Sequence, residues 1–306
     1  MTLRRILMAT DLSERSDRAL ARALQLAGQY DARLEVLHAI DEALPTGRAE
    51  WLRADGEQRI KSLLASRPGI SGLDVAVSIV RDRPFAGILR QADASDADLI
   101  VLGTHREDAL RNLFVGSTAW RVLREASRPV LVVKTPVSGP YRRPLVALDI
   151  SEGSRRALEL ACALASGTEL SAVHAFQVAF PAFVRTEQTA REAGGERRQE
   201  LSNFFKQVFA SMDPALVARL PAIRRNVREG ETLEVILREC ERLSADLLIL
   251  GTCGRTGLAH AVLGSTAEPL LRLARCDILA IRAGALDVKS ALRAPEAVPR
   301  RRASPG

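Results

Sequence analysis

The chain has 306 residues, 47% hydrophobic and 26% charged, enough for about two ordinary domains that each bury a core. No apolar run approaches the ~20 residues of a membrane span, and the opening MTLRRILMATDLSERS lacks a long secretory apolar core, so the expected setting is the cytoplasm. The formal charge of +7 gathers partly after Ala285, where Lys289, Arg293, Arg300, Arg301 and Arg302 face only Asp287 and Glu296; with aromatics at 4%, little is available to stack on bases, which argues against nucleic acid.

In chain order, ILMAT predicts a first strand, and DLSERSDRALARALQLAGQY predicts the helix that follows it. Asp11 to Ser16 offer N-cap side chains, and Ala19, Leu20, Ala23, Leu24 and Ala27 recur at helical spacing. LEVLHA and AEWLRADGEQRIKSLLAS predict the second strand and helix, DVAVSIV and FAGILRQADA the third pair, and DLIVLG and STAWRVLREAS the fourth. PVLVVK predicts a fifth strand. Strands this apolar predict a largely parallel sheet covered on both faces, and right-handed connections then give a doubly wound α/β domain.

The second half repeats the unit. RRILMATDLSERSDRAL (from Arg4) aligns without a gap with RRPLVALDISEGSRRAL (from Arg142), an offset of 138 that pairs Asp11 with Asp149, Ser13 with Ser151 and Ser16 with Ser154. LEVLHAI matches LSAVHAF at an offset of 136, while ADLIVLGT and VGSTA match ADLLILGT and LGSTA at 148. The second copy therefore gains 12 residues, which the sequence places in FPAFVRTEQTAREAGGERRQ. The expected organisation is one domain over 1–137, a second over 142–283 and a basic disordered tail over 284–306, joined by the short linker PVSGPYRR. With five strands in the order 3-2-1-4-5, the winding reverses between strands 1 and 4, and ligands of such sheets sit outside the carboxyl ends there. The aspartate after strand 1 and the GT…GST stretch after strand 4 both fall at that place.

In GTCGRTGLAHAVLGST (Gly251 to Thr266), a strand ending in Gly251 and Gly254 can expose backbone N–H groups with no Cβ in the way. Gly264, Ser265 and Thr266 would open a helix whose free N–H groups and hydroxyls suit phosphate oxygens. Asp149 is placed to accept from ribose hydroxyls or to reach a metal. The plainer alternative is tight turns at Gly251 and Gly264 with Ser265 as a helix cap. His38 and His174 share one place in the two copies, which suggests a repeated structural position, and Cys253 is either a reactive thiol or a plain substitution.

The spacing G-x2-G-x9-G-S/T, with A-x-D-x-S, the [LV]-H-A second strand, ADL[IL][VI]LGT and the GST helix start, resembles the universal stress protein family over both halves. One branch of that family binds ATP. The resemblance implies a tandem member whose second domain would bring adenine against Ala147 and Ala175, the ribose to Asp149, and Leu250 and Gly251 beside the nucleotide. Gly254, Gly264, Ser265 and Thr266 would hold the phosphates, with Mg²⁺ or Mn²⁺ bridging them. The corresponding first-domain set is Ala9, Asp11, Ala39, Leu102, Gly103, Gly116, Ser117 and Thr118. That copy departs from the pattern: Arg106 replaces Gly254, Glu107 and Asp108 follow it, and Asp82 stands against Gly230. Arg106 either reaches a phosphate or fills the turn, and the acidic pair would repel phosphates, so the first domain is expected to bind weakly or not at all.

The expected function is ATP binding with a regulatory or protective role under stress and slow hydrolysis at most, with no catalytic residue assigned. The alternatives are a scaffold or dimerisation module with vestigial sites, and a nucleotidyl-transferring enzyme of related fold, which lacks a catalytic set here. The family resemblance also suggests an intramolecular pseudo-dimer formed fifth strand to fifth strand, a possible homodimer and an unidentified protein partner.

Overall fold

Alternation along the strands decides the architecture. In the computed structural model, which describes residues 3–14, 16–67, 70–104, 117–164, 168–177, 187–218, 220, 222–252 and 264–282, successive strand residues bury into two different cores. The first half runs β1 (Arg5–Thr10), α1 (Ser16–Tyr30), β2 (Arg33–Ile40), α2 (Thr46–Ala65), β3 (Val75–Arg81), α3 (Pro84–Ala94), β4 (Leu99–Gly103), α4 (Ser117–Glu125) and β5 (Val130–Val133). The second runs β6 (Pro144–Ala147), α5 (Glu152–Leu164), β7 (Leu170–Phe176), α6 (Glu187–Ser211), α7 (Pro214–Val217), β8 (Ile223–Glu229), α8 (Thr232–Leu243), β9 (Leu247–Gly251), α9 (Ala267–Leu273) and β10 (Asp277–Ile281). Leu99 and Val101 of β4 join a core with α1, α2, α5 and α6, whereas Ile100 and Leu102 join one with α3, α4, α8 and α9. Period two in the strands thus feeds two helical layers, one on each face.

The strands form one ten-stranded sheet in the order β3-β2-β1-β4-β5-β10-β9-β6-β7-β8. Within each half the pairing is parallel; β5 and β10 meet antiparallel, with Leu131 opposite Leu279 and Val130 and Val132 opposite Ala280 and Ile278. Leu131 and Leu279 are equivalent in the repeat, so a pseudo-two-fold axis passes between them, as at an isologous dimer interface.

The ADL repeat has a structural duty at the amino ends. Asp98 accepts the backbone N–H groups of Arg4 and Arg5 at 2.7 and 2.9 Å, and its equivalent Asp246 accepts those of Arg142 and Arg143 at 2.7 and 3.0 Å. Each aspartate fixes the entry of the first strand of its own half. Desolvation raises the Asp98 pKa above its ordinary value. The extra length of the second half falls mostly where the sequence puts it: the connection from β7 to α6 is longer than that from β2 to α2, and α6 has 25 residues against 20 in α2. The tail over 284–306 lies outside the described residues.

At the seam the halves share one buried carboxylate. Asp277, fully buried, accepts the N–H groups of Lys134 and Thr135 at 2.8 and 2.9 Å and the Thr135 hydroxyl at 2.8 Å on Oδ1. Its Oδ2 takes the Tyr141 hydroxyl at 2.6 Å and lies 3.5 Å from Nε of the buried Arg22. Arg22 lies 4.0 Å over the Tyr141 ring and donates to the Gly139 carbonyl. Linker, first half and second half therefore meet on a single side chain.

Candidate functional site

The carboxyl end of the first strand is built the same way in both halves. Leu12 and Ile150, equivalent in the repeat, take left-handed backbone with φ of 61° and 62°, a costly conformation for such side chains. The turn brings serines back to the aspartate before it. Asp149 Oδ1 accepts from Ser151 N at 3.1 Å and from the Ser151 and Ser154 hydroxyls at 2.5 Å each. Asp11 Oδ1 accepts from Ser13 N at 3.0 Å and from the Ser13 and Ser16 hydroxyls at 2.6 and 2.5 Å. One oxygen of each carboxylate is thereby locked, and Asp149 Oδ2 has no partner among the described residues.

The repeated histidines fix the same turn from the neighbouring strand. Nδ1 of His38 lies 2.9 Å from the Thr10 carbonyl, and Nδ1 of His174 lies 2.8 Å from the Leu148 carbonyl. A carbonyl only accepts, so Nδ1 carries the proton in each and the ring serves as a strand-end tie.

Gly251 is glycine for a packing reason. A Cβ there would stand 2.7 Å from the Gly153 carbonyl carbon and 3.0 Å from its Cα, so α5 approaches β9 too closely for any side chain. Beyond it, Thr252 N donates to the Ile281 carbonyl at 2.8 Å and Gly264 N to the Thr252 carbonyl at 2.7 Å, which ties the two ends of the glycine stretch together. The helix after it begins at Ala267, later than the sequence suggests, with Thr266 as its N-cap; in the first half it begins at Ser117. The N–H groups of Ser265 and Thr266 make no hydrogen bond to a described residue.

A cavity opens at this end of the sheet in each half. In the second half, Ala147, Asp149, Ala175, Leu250, Gly251 and Thr266 line a volume of about 80 Å³. In the first, Ala9, Asp11, Ala39, Leu102, Gly103 and Thr118 line about 210 Å³. Gly264, Ser265 and Ser117 are described but do not line these cavities, while Gly254, Gly116, Arg106, Glu107, Asp108 and Cys253 lie outside the described residues. Leu148 lines the second cavity where its equivalent in the repeat, Thr10, lines the first.

Sequence reasoning missed Ser16 and Ser154, and also Pro84 with Ile88 and Thr232 with Ile236, which wall the cavities from the helix after the third strand. The signal for the helix pair was present in the ILR repeat at Ile88 and Ile236. Asp82 does not line the first cavity. It is buried, accepts from Arg83 N at 2.7 Å and is paired with Arg90. Its counterpart Gly230 adopts φ of 145°, with Val235 2.9 Å from where a Cβ would sit, so the two loops differ in backbone. Among the described residues, no helix is long and apolar enough to cross a membrane.

The profile of the universal stress protein family matches residues 2–134 and 140–282, and the chain belongs to that family. It carries two copies of the domain, as the repeat implied. The chain is 27% identical over 262 residues to the universal stress protein E of Salmonella typhi, covering 80% of this chain and 77% of that one. It is 30% identical over 211 residues to the universal stress protein E homolog of Haemophilus influenzae, covering 64% and 65%. Among solved structures, a universal stress protein from Archaeoglobus fulgidus shares the fold with a TM-score of 0.64 at 21% identity, covering 93% of this chain and 100% of that one. A functionally unknown protein from Pseudomonas aeruginosa superposes with a TM-score of 0.65 at 22% identity, covering 92% and 93%.

Proposed function

We propose that this chain is an adenine-nucleotide-binding member of its family with a regulatory or protective role in the stress response, acting in the cytoplasm, and that its second half holds ATP. The observation that carries the reading is the convergence of Ala147, Asp149, Ala175, Leu250, Gly251 and Thr266 on one cavity at the sheet's winding reversal. In this reading the two alanines leave room for the adenine ring, and Asp149 Oδ2 accepts from the ribose. Gly254, Gly264, Ser265 and Thr266 take the phosphates. Among the described residues no group of three or more His, Cys, Asp or Glu could hold a cation. Mg²⁺ or Mn²⁺ would therefore arrive with the phosphates, as Mg²⁺ commonly does with one or two carboxylates at most.

Nucleotide released on denaturing the purified protein, identified by mass spectrometry, tests the reading together with thermal melting in ATP. A ligand at about 100 times its dissociation constant stabilises the native state by ~2.7 kcal/mol. Asp149→Ala should lose that stabilisation. No co-purified nucleotide and no shift with ATP would replace binding by the scaffold reading. The larger first-half cavity, about 210 Å³ against 80 Å³, favours a second reading in which that half is occupied too. Two nucleotides per chain, with one lost in Asp11→Ala, would establish it.

A further inference from the structure

Among the described residues, the large apolar side chains left in solvent are Trp51, 64% exposed, and Leu273. Trp51 stands on α2, whose inner face buries Ala49, Gly56, Ile60 and Leu64. At about 3.6 residues per turn, Trp51, Ala54, Gln58, Ser62 and Ala65 fall on the opposite face, and all of them are exposed. Beside the ring, Ala54, Glu57, Gln58, Lys61, Ser62 and Ala65 line a shallow, open groove. One face of one helix therefore carries both a large apolar knob and a floor of small side chains. In the second half the corresponding helix, α6, turns Glu196, Gln199, Asn203 and Lys206 outward instead. The helical layer packs on the sheet without an outward ring there, so Trp51 is not a requirement of the fold.

The borders of this face are charged in one direction. Glu57 and Lys61 flank it on one side, paired at 2.6 Å, and Asp55 and Arg59 on the other, paired at 3.6 Å. Both pairs run from acid to base toward the carboxyl end of the helix. A second copy of the helix turned end for end reverses that order, so each acid meets a base. With the two-fold axis at Gln58, Trp51 faces Ala65 of the second copy, Ala54 faces Ser62, and Gln58 faces its own equivalent. Glu57 then comes beside Lys61 on one border and Asp55 beside Arg59 on the other. A parallel pair would instead set Trp51 against Trp51 and leave the small residues opposite one another.

We propose that α2 is a homodimer interface, in which two copies of the chain pair their α2 helices antiparallel and the Trp51 ring of each fills the groove floored by Ser62 and Ala65 of the other. The same surface serves both copies, so the contact closes at two. The rings supply the apolar area and the charged borders fix the direction. Two rings at ~150–250 Å² each form the centre of a contact at the small end of specific interfaces, below ~1,200 Å², and the dimer is one that dilution dissociates. Trp51, Ala54, Gln58, Ser62 and Ala65 line neither of the two sheet-end cavities, and the β5–β10 seam is untouched.

Sedimentation velocity on the full chain over a wide concentration range should show a monomer–dimer equilibrium. Trp51→Ala should leave the melting temperature unchanged and weaken dimerisation ~100-fold, since the ring is lost from the contact twice. Lys61→Glu sets an acid opposite Glu57 in both copies and should also favour the monomer. Adding Glu57→Lys to it restores opposite charges, within the helix and across the axis, and should restore the dimer. Gln58→Cys puts a thiol at the axis, and mild oxidation should link two chains through position 58, read from the cross-linked peptide. A chain that stays monomeric at every concentration, a dimer unmoved by Trp51→Ala, or a dimer that does not cross-link at position 58 would overturn the assignment.

Discussion

Replacing Asp277 by alanine should be the most damaging single change at the seam. The carboxylate is wholly buried and collects four hydrogen bonds, from Lys134 N, Thr135 N, the Thr135 hydroxyl and the Tyr141 hydroxyl, besides lying 3.5 Å from the buried Arg22 guanidinium. Truncation leaves Arg22 charged with no carboxylate and orphans two backbone donors. Removing one partner of a buried ion pair costs ~3–5 kcal/mol, and each donor left unsatisfied costs ~1–3 kcal/mol, although relaxation and water entry keep the terms from adding fully. We expect a loss of ~4 kcal/mol in urea unfolding followed by far-ultraviolet circular dichroism. Asp277→Asn keeps a carbonyl oxygen for the two N–H groups and should lose about half as much. The double variant Arg22→Met, Asp277→Leu should recover only the part of the loss due to the stranded Arg22 charge, because the N–H groups of Lys134 and Thr135 stay unsatisfied. A loss below ~1 kcal/mol in Asp277→Ala would refute the reasoning and show that the seam is held by the apolar contacts around Leu131 and Leu279 alone.

Gly251→Ala forces a Cβ to 2.7 Å from the Gly153 backbone and should cost ~1–3 kcal/mol by overpacking, read as a lower melting temperature. Gly195→Ala, in α6 with nothing within 4 Å of the added carbon, should instead stabilise the chain by ~0.5–1 kcal/mol. Burial lowers the Lys134 pKa from 10.5 to about 8, so between those values the unfolded chain binds more protons there and Lys134's contribution to stability rises with pH. Tyr30, raised to about 12, works the other way, since its unfolded phenol ionises near pH ~10. The stability difference between wild type and Lys134→Met should therefore shift in favour of wild type from pH 8 to 10. A flat difference in urea titrations across that range would rule out Lys134 as the titrating group.

Most of the fold was readable because its signals were repeated. The two matched halves, the apolar strands and the ADL and GST stretches each occur twice, so a chance pattern in one copy is checked by the other. Repetition could not separate binding from packing at a single residue. Gly251 reads as a glycine that lets a ligand approach, and what approaches is Gly153 on α5. Asp149 reads as a ribose acceptor, and one of its oxygens is already spent on Ser151 and Ser154. Asp82 reads as a departure from the glycine at 230, and it pairs with Arg90 without lining the first cavity. The walls supplied by Thr232 and Ile236 are marked only by the short ILR repeat, because they come from a helix outside the loop motifs. Asp277 and Arg22 were invisible for the opposite reason: neither has a counterpart of its type in the other copy, Pro129 and Leu160 standing there.

That lack of counterparts has a consequence for how the halves recognise each other. In a symmetric dimer every seam residue appears twice, so a buried charge must find its partner across the axis in both copies. Fusion removes that constraint, and this chain has used the freedom: Arg22 comes from the first half, Asp277 from the second, and the pair exists once. Two first halves joined through β5 would bury two Arg22 guanidiniums facing Pro129 and no carboxylate, at a desolvation cost of several kcal/mol per ion. Two second halves would bury two Asp277 carboxylates without Arg22, Lys134 or Thr135 to satisfy them. Residues 1–137 and 138–283, produced separately, should therefore associate with each other far more tightly than either does with itself, by a hundredfold or more at ~1.4 kcal/mol per factor of ten. Sedimentation velocity on the separate and mixed halves reads this directly. Equal self-association would mean that strand pairing and the apolar cores set the affinity, with the single ion pair contributing nothing to the choice of partner.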